Sequence, residues 1–233
     1  MTTIALLGVP MDLGQSRRGV EMGPSAVRHA QLEARLEALG HTVEDAGDVA
    51  VPPRERLAAT DGLGYLDTIT AVCRELATRT RSIVEQGQIP LVIGGDHSIA
   101  AGSVAGVSAA FAARGQRIGL LWIDAHSDLH TPESSSSGNI HGMPLAHLLG
   151  HGHPPLVHAA TQDVAVFAGH AAIVGARDVD PAEREHAQAW GVRIFTMREI
   201  DERGMRAVLQ EASALVSDGS AGIHVSLDLD FVV

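Results

Sequence analysis

Ile118-Gly119-Leu120-Leu121-Trp122-Ile123-Asp124-Ala125-His126-Ser127-Asp128 joins an apolar run of strand length directly to a cluster of acids and a histidine. A short continuous apolar run of this kind fits a strand buried on both faces, as in a parallel sheet. The same junction occurs twice more. Ile89-Pro90-Leu91-Val92-Ile93 leads into Gly94-Gly95-Asp96-His97-Ser98, and Ile223-His224-Val225 leads into Ser226-Leu227-Asp228-Leu229-Asp230. Carboxylates are rarely buried unless paired or bound to a cation, so three such clusters at strand ends need a common partner. The economical partner is metal.

His97, Asp124, His126, Asp128, Asp228 and Asp230 together offer two imidazoles and four carboxylates. That is too much negative oxygen for one ion and suits a bridged pair of divalent ions. Mixed oxygen and nitrogen sites favour manganese-type ions, whereas structural zinc usually recruits thiolates. The chain has one cysteine, Cys73, which excludes a thiolate site. A binuclear site lowers the pKa of a shared water and so points to hydrolysis. The competing reading is that Asp124 and Asp128 cap a helix and the histidines are ordinary surface groups.

A chain of 233 residues with 45% hydrophobic content has the length and core of one α/β domain, and 1–233 is read as a single domain. Lys+Arg 17 against Asp+Glu 28 gives a net charge of −11 with no basic run, so nucleic-acid binding has little support. Every basic residue is arginine, which removes Schiff-base chemistry and a phosphate-loop lysine. No apolar stretch reaches the roughly 18 residues that span a bilayer, and the first residues lack a basic region and cleavage site. A soluble cytoplasmic protein is the expectation, and one unpaired cysteine agrees with it.

Strand-like and helical runs alternate throughout, predicting a parallel sheet with helices on both faces. Strands are expected at Ile4 to Gly8, Val43 to Gly47, Ala171 to Val174 and Val192 to Phe195, besides the three already quoted. One helix is expected from Pro24 to Leu39 with Leu32, Leu36 and Leu39 on its apolar face and Gly40 as its stop. Others are expected at about Tyr65 to Gln86 with Cys73 in the core, Ser98 to Ala113, Pro181 to Trp190 and Glu199 to Val216. Pro132 through Gly142 has no period and reads as a loop, placed where open α/β sheets bind their ligands. After the last strand only Asp230-Phe231-Val232-Val233 remain, so apolar surface on that strand is expected to stay exposed.

These clusters resemble those of the ureohydrolases, the arginase and agmatinase family. The resemblance starts at Gly8-Val9-Pro10-Met11-Asp12-Leu13-Gly14 and Arg17-Arg18-Gly19-Val20-Glu21-Met22-Gly23-Pro24. It continues through the three clusters and Ser137-Gly138-Asn139-Ile140-His141-Gly142-Met143-Pro144, in order and over essentially the whole chain. It implies a three-layer α/β sandwich around a mainly parallel sheet and two Mn2+ ions. His97 and Asp128 would bind one ion, His126 and Asp230 the other, and Asp124 and Asp228 would bridge. The implied reaction is attack of hydroxide on the guanidinium carbon of L-arginine, giving L-ornithine and urea. Asp128 would take the hydroxide proton and His141 would shuttle one near the leaving amine. Ser137 and Asn139 would hold the α-carboxylate, which favours arginine over agmatine. Asp180 and Glu183 would read the α-amino group, although both also fit ordinary acids at a helix start. A trimer or hexamer is implied as well.

Two departures accompany the resemblance. His130 stands where the family usually carries asparagine, and an imidazole offers fewer hydrogen-bonding groups to a carboxylate. Family members also continue well beyond the third cluster. The missing last strand and helix imply an incomplete domain in which His97 and Asp228 are separated and strand edges are left unpaired. The alternatives are another ureohydrolase acting on agmatine or a guanidino acid, a shortened inactive homologue that binds metal, and a Rossmann-like binding module. The last lacks the glycine-rich turn after its first strand.

Overall fold

The computed structural model describes residues 2–57 and 64–232. Among these, the strands are β1 Thr3–Val9, β2 Thr42–Asp48, β3 Ile89–Gly94, β4 Ile118–Ile123, β5 Ala171–Ala176, β6 Arg193–Thr196 and β7 Gly222–Leu227. The helices are α1 Gly23–His29, α2 Leu32–Ala38, α3 Leu66–Glu85, α4 Ala100–Ala112, α5 Pro144–Leu148, α6 Pro154–Val157, α7 Pro181–Trp190, α8 Met197–Arg203 and α9 Met205–Ser217. Every strand pairing is parallel, and the strands form two sheets in the orders β2-β1-β3 and β6-β5-β4-β7.

Alternation along the strands builds the layers. Leu120, Trp122, Ala171 and Ile173 face a core shared with α4, α5 and α7, while Leu121, Ala172 and Val174 face Val208, Ala212 and Val216 of α9. In the first sheet Ala5, Leu7 and Val9 pack on Ile69, Val72, Cys73 and Leu76 of α3. Cys73 is fully buried, and desolvation pushes its thiol up to about 12. Helix α4 is apolar nearly all round and correspondingly buried. Its Gly102 and Gly106 lie against the backbone of Cys73 and Ala77, so α3 and α4 cross at a distance no side chain would allow.

Two expected helices are each broken in two. Gln31 adopts φ 61 between α1 and α2, so the expected apolar stripe is not continuous, and Leu39 is 75% exposed. Gly204, at φ 81 and ψ 145, separates α8 from α9 in a conformation natural only to glycine. Periodicity reads straight across a single left-handed residue, which is why neither break was expected. The short helices α5 and α6 were not anticipated either; each begins at a proline beyond the expected loop, in a stretch to which no element was assigned.

The central layer is therefore a sheet in two parts, with β3 and β7 each at an edge. Ile223, Val225 and Leu227 of β7 are exposed, as the sequence led us to expect. The expected separation of His97 from Asp228 is not observed: His97 Nδ1 lies 3.3 Å from Asp228 Oδ2. Helix α4 and the turn before it dock on the second sheet, where Ala100 and Val104 share a core with Leu120 and Trp122, and this holds the carboxyl ends of β3 and β7 together.

Candidate metal centre

Each acidic cluster begins where a strand runs out. After β3, Asp96 turns the chain by accepting hydrogen bonds from the Ser98 N–H at 3.0 Å and from Ser98 Oγ. It also accepts from the Gly14 N–H at 2.8 Å, which ties the loop after β1 to the turn that carries His97. After β4, Asp124 is 1% exposed and accepts from Trp122 Nε1 at 3.0 Å and from the His126 N–H at 2.8 Å. After β7, the Asp230 N–H donates to Asp228 Oδ1 at 3.0 Å, and Asp230 Oδ1 accepts from the Ala125 N–H at 3.3 Å.

The side chains converge in two groups. His97 Nδ1 lies 3.0 Å from Asp124 Oδ2, 3.0 Å from Asp128 Oδ2 and 3.3 Å from Asp228 Oδ2. His126 Nδ1 lies 2.9 Å from Asp230 Oδ2 and 3.6 Å from Asp124 Oδ1. Asp124 thus serves both groups, one oxygen to each. Asp228 belongs to the first group and meets the second through the Asp230 backbone.

The donor set fits divalent metal. His97 Nδ1 is buried amid three carboxylate oxygens yet makes no hydrogen bond of normal geometry, the arrangement of a lone pair directed at a cation rather than at a proton acceptor. Carboxylate and imidazole donors without thiolate suit manganese-class ions. Protonation follows from the crowding. Burial alone would lower the His97 pKa, but Asp124 and Asp128 outweigh it and raise it to about 10. Contact with Asp124, then the charge of Asp230, lifts His126 to about 9. Burial, together with the charges of Asp124 and Asp228, raises Asp128 well above the usual carboxylate range.

Neighbours that the sequence reading missed support the two groups. Ser226 Oγ lies 2.8 Å from His97 Nε2, fixing the ring from behind. Trp122 stacks on the same ring with centroids 4.1 Å apart. Strand alternation was the available signal, since Trp122 and Asp124, like Ser226 and Asp228, are two residues apart and share a face.

The other expected site residues fall in three places. His130, Asp180 and Glu183 form a third cluster, with His130 Nε2 3.0 Å from Asp180 Oδ2 and 3.9 Å from Glu183 Oε2. Asp180 and Glu183 also form a reciprocal capping box at the start of α7, so the helix-start reading of these acids is met in full. Ser137 and Asn139 lie in the loop before α5, where the Asn139 N–H donates to Ser137 Oγ at 3.2 Å. Asn139 lines a small cleft with Leu13, Gly14, Gln15 and Arg54. His141 is half-buried, and its N–H donates to the Gly14 carbonyl at 3.0 Å. Burial lowers its pKa, with the charges of Asp96, His126, His97 and Asp228 acting on it in both directions.

A parallel α/β sheet with histidine and aspartate clusters at the carboxyl ends of adjoining strands has the architecture of the ureohydrolases. The chain matches the Arginase family over residues 2–232 and belongs to it. It is 47% identical over 227 residues to an arginase of Brevibacillus brevis, covering 97% of this chain and 75% of that one. The crystal structure of the Bacillus caldovelox arginase superposes with a TM-score of 0.92 at 43% identity, covering 99% of this chain and 76% of that one. An Entamoeba histolytica arginase solved in complex with L-ornithine gives a TM-score of 0.87 at 30% identity, covering 98% and 75%. The chain thus spans about three quarters of the length of these relatives and is an arginase-type hydrolase acting on amidino C–N bonds. Among the described residues, no helix is long and apolar enough to cross a membrane.

Proposed function

We propose that this protein hydrolyses L-arginine to L-ornithine and urea, using two manganese ions held by His97, Asp124, Asp128, His126, Asp228 and Asp230. The observation that carries this reading is Asp124, whose two oxygens face two separate groups of ligand-type side chains. A pair of divalent ions, when bound, acidifies a shared water and supplies hydroxide near neutral pH. Asp128, buried beside His97, accepts the proton released as hydroxide attacks the guanidinium carbon. His141, in the turn before α5, delivers a proton to the leaving amine; an imidazole can both take and give a proton, and the burial that lowers the His141 pKa makes its protonated form a stronger acid.

Ser137 and Asn139 contribute hydroxyl and amide groups for the α-carboxylate, and Asp180 contributes a carboxylate for the α-ammonium. The ligand named for the Entamoeba relative, L-ornithine, is the amino-acid product this reading requires. We place the protein in the cytoplasm as one domain that assembles into trimers or hexamers. Urea release from L-arginine after manganese loading, with agmatine in parallel, tests the proposal. Release from arginine supports it, while release from agmatine alone, or none from folded protein, overturns it.

A further inference from the structure

Leu129 sits directly after Asp128, and α7 holds both of its peptide groups. The Leu129 N–H donates to Glu183 Oε1 at 3.2 Å, and the Leu129 carbonyl lies 2.8 Å from His186 Nδ1. The His186 ring is itself held in place. It stacks on Trp190 with centroids 4.5 Å apart and planes at 11°, and His151 stacks on Trp190 at 3.9 Å and 7°.

What this clamp acts on is an unusual backbone. Asp128 has φ 51, and Gln31 is the one other non-glycine residue with positive φ among those described. A non-glycine residue is strained there, and such a conformation persists only where the surroundings over-determine it. The surroundings here do so. The Asp128 carbonyl accepts from the Ala146 N–H at 3.2 Å, the Leu129 side chain is fully buried, and the His130 N–H donates to the Gly142 carbonyl at 3.2 Å. Within this set His186 stands apart, because it is neither a proposed metal ligand nor part of the α7 capping box.

We propose that His186 is a positioning residue for the metal centre: by fixing the Leu129 carbonyl it keeps Asp128 in the left-handed conformation that presents its carboxylate to His97 Nδ1. The inference rests on the proposed role of Asp128 as a ligand. Glu183 acts with it. The two Glu183 oxygens accept from the Leu129 and Asp180 N–H groups, each at 3.2 Å, so Glu183 is a strut for this turn rather than a free carboxylate. For His186 the arrangement requires the proton on Nδ1, since a carbonyl can only accept.

His186→Phe retains an aromatic ring against Trp190 but cannot donate, whereas His186→Asn places an amide nitrogen near the former Nδ1. The readout is Mn2+ binding, followed through the electron paramagnetic resonance signal of free Mn2+, alongside thermal unfolding of the metal-free protein. His186→Phe is expected to weaken one of two Mn2+ sites by about tenfold or more and spare the other, as removing outer-shell support does elsewhere. His186→Asn should recover most of that loss. His186→Ala gives the same comparison where the larger ring prevents folding. Unchanged affinities, or equal weakening of both sites in step with lost stability, would overturn the inference. Wild-type protein that binds no Mn2+ sinks the functional reading and this inference with it; wild type that binds two ions with an indifferent His186→Phe sinks this inference alone.

Discussion

His130 Nε2 lies 3.0 Å from Asp180 Oδ2 while His130 Nδ1 lies 3.1 Å from Ser134 Oγ, so both ring nitrogens are engaged inside the protein. An imidazole has no third polar group, which leaves His130 nothing to offer a substrate carboxylate. The same contact draws on Asp180, the carboxylate proposed for the α-ammonium. His130→Asn restores an amide and releases Asp180. We expect the KM for L-arginine to fall by about tenfold, the worth of one hydrogen bond to a charged group, with agmatine kinetics little changed. An unchanged KM for arginine would show that His130 takes no part in recognition.

Asp128→Ala separates proton transfer from metal retention. Five of the six proposed ligands remain, and Asp124 still faces both groups, so the variant should keep part of its manganese. Turnover should nevertheless vanish, because Asp124, the other buried carboxylate 3.0 Å from His97 Nδ1, has its two oxygens committed to the two ligand groups and cannot also take the proton. Metal content by elemental analysis and urea release on the same sample decide it. Appreciable turnover would contradict the role given to Asp128.

The three acidic-histidine clusters were legible because burial of charge is chemically expensive, and a short apolar run ending in Asp-Ala-His-Ser-Asp calls for a cation to offset it. All seven strands were legible too, most of them as short apolar runs bounded by turn residues; β2, largely polar and exposed, is the exception. What could not be read is what depends on distance in space. Alternation puts Ser226 on the face of Asp228 but does not say that it backs His97, and His186 behind Leu129 carries no local pattern at all, since each acts on a partner far away in sequence. The engagement of His130 with Asp180 required the packing of α7 against the turn after β4. The closeness of His97 to Asp228 ran against a topological argument, because the docking of α4 on the second sheet outweighs the lack of pairing between β3 and β7.

His147 should make stability depend on pH. It is 1% exposed in α5, and neither ring nitrogen makes a hydrogen bond of normal geometry. Burial, helped by the nearby His153, lowers its pKa to about 3. Above the unfolded value of about 6.5 both states are neutral and the group contributes no pH dependence. As pH falls below that value, the unfolded chain takes up a proton that the folded chain refuses, so stability drops by about 1.4 kcal/mol per pH unit. The loss continues until pH approaches 3. His147→Leu removes this share, so urea midpoints of variant and wild type should diverge in the variant's favour between pH 7 and pH 5. Parallel curves would mean that His147 takes up a proton as readily in the folded protein as in the unfolded chain.

Gly106 tests the crossing of α3 and α4. A methyl group there would sit 2.7 Å from Ala77 Cα and closer still to Thr80 Oγ1 and the Ala77 carbonyl, mostly backbone that cannot swing aside. Two effects of Gly106→Ala oppose each other. Helix propensity favours alanine by about 1 kcal/mol, while overpacking a close crossing costs about 1–3 kcal/mol and sits at the upper end where backbone must move. The clash wins, and a net loss of about 2 kcal/mol is expected from chemical denaturation. Gly169→Ala, with open space at the same distance, serves as the control and should change little. If Gly106→Ala matched that control, the two helices would have room to separate, and the crossing that ties α4 to α3 would be looser than the packing indicates.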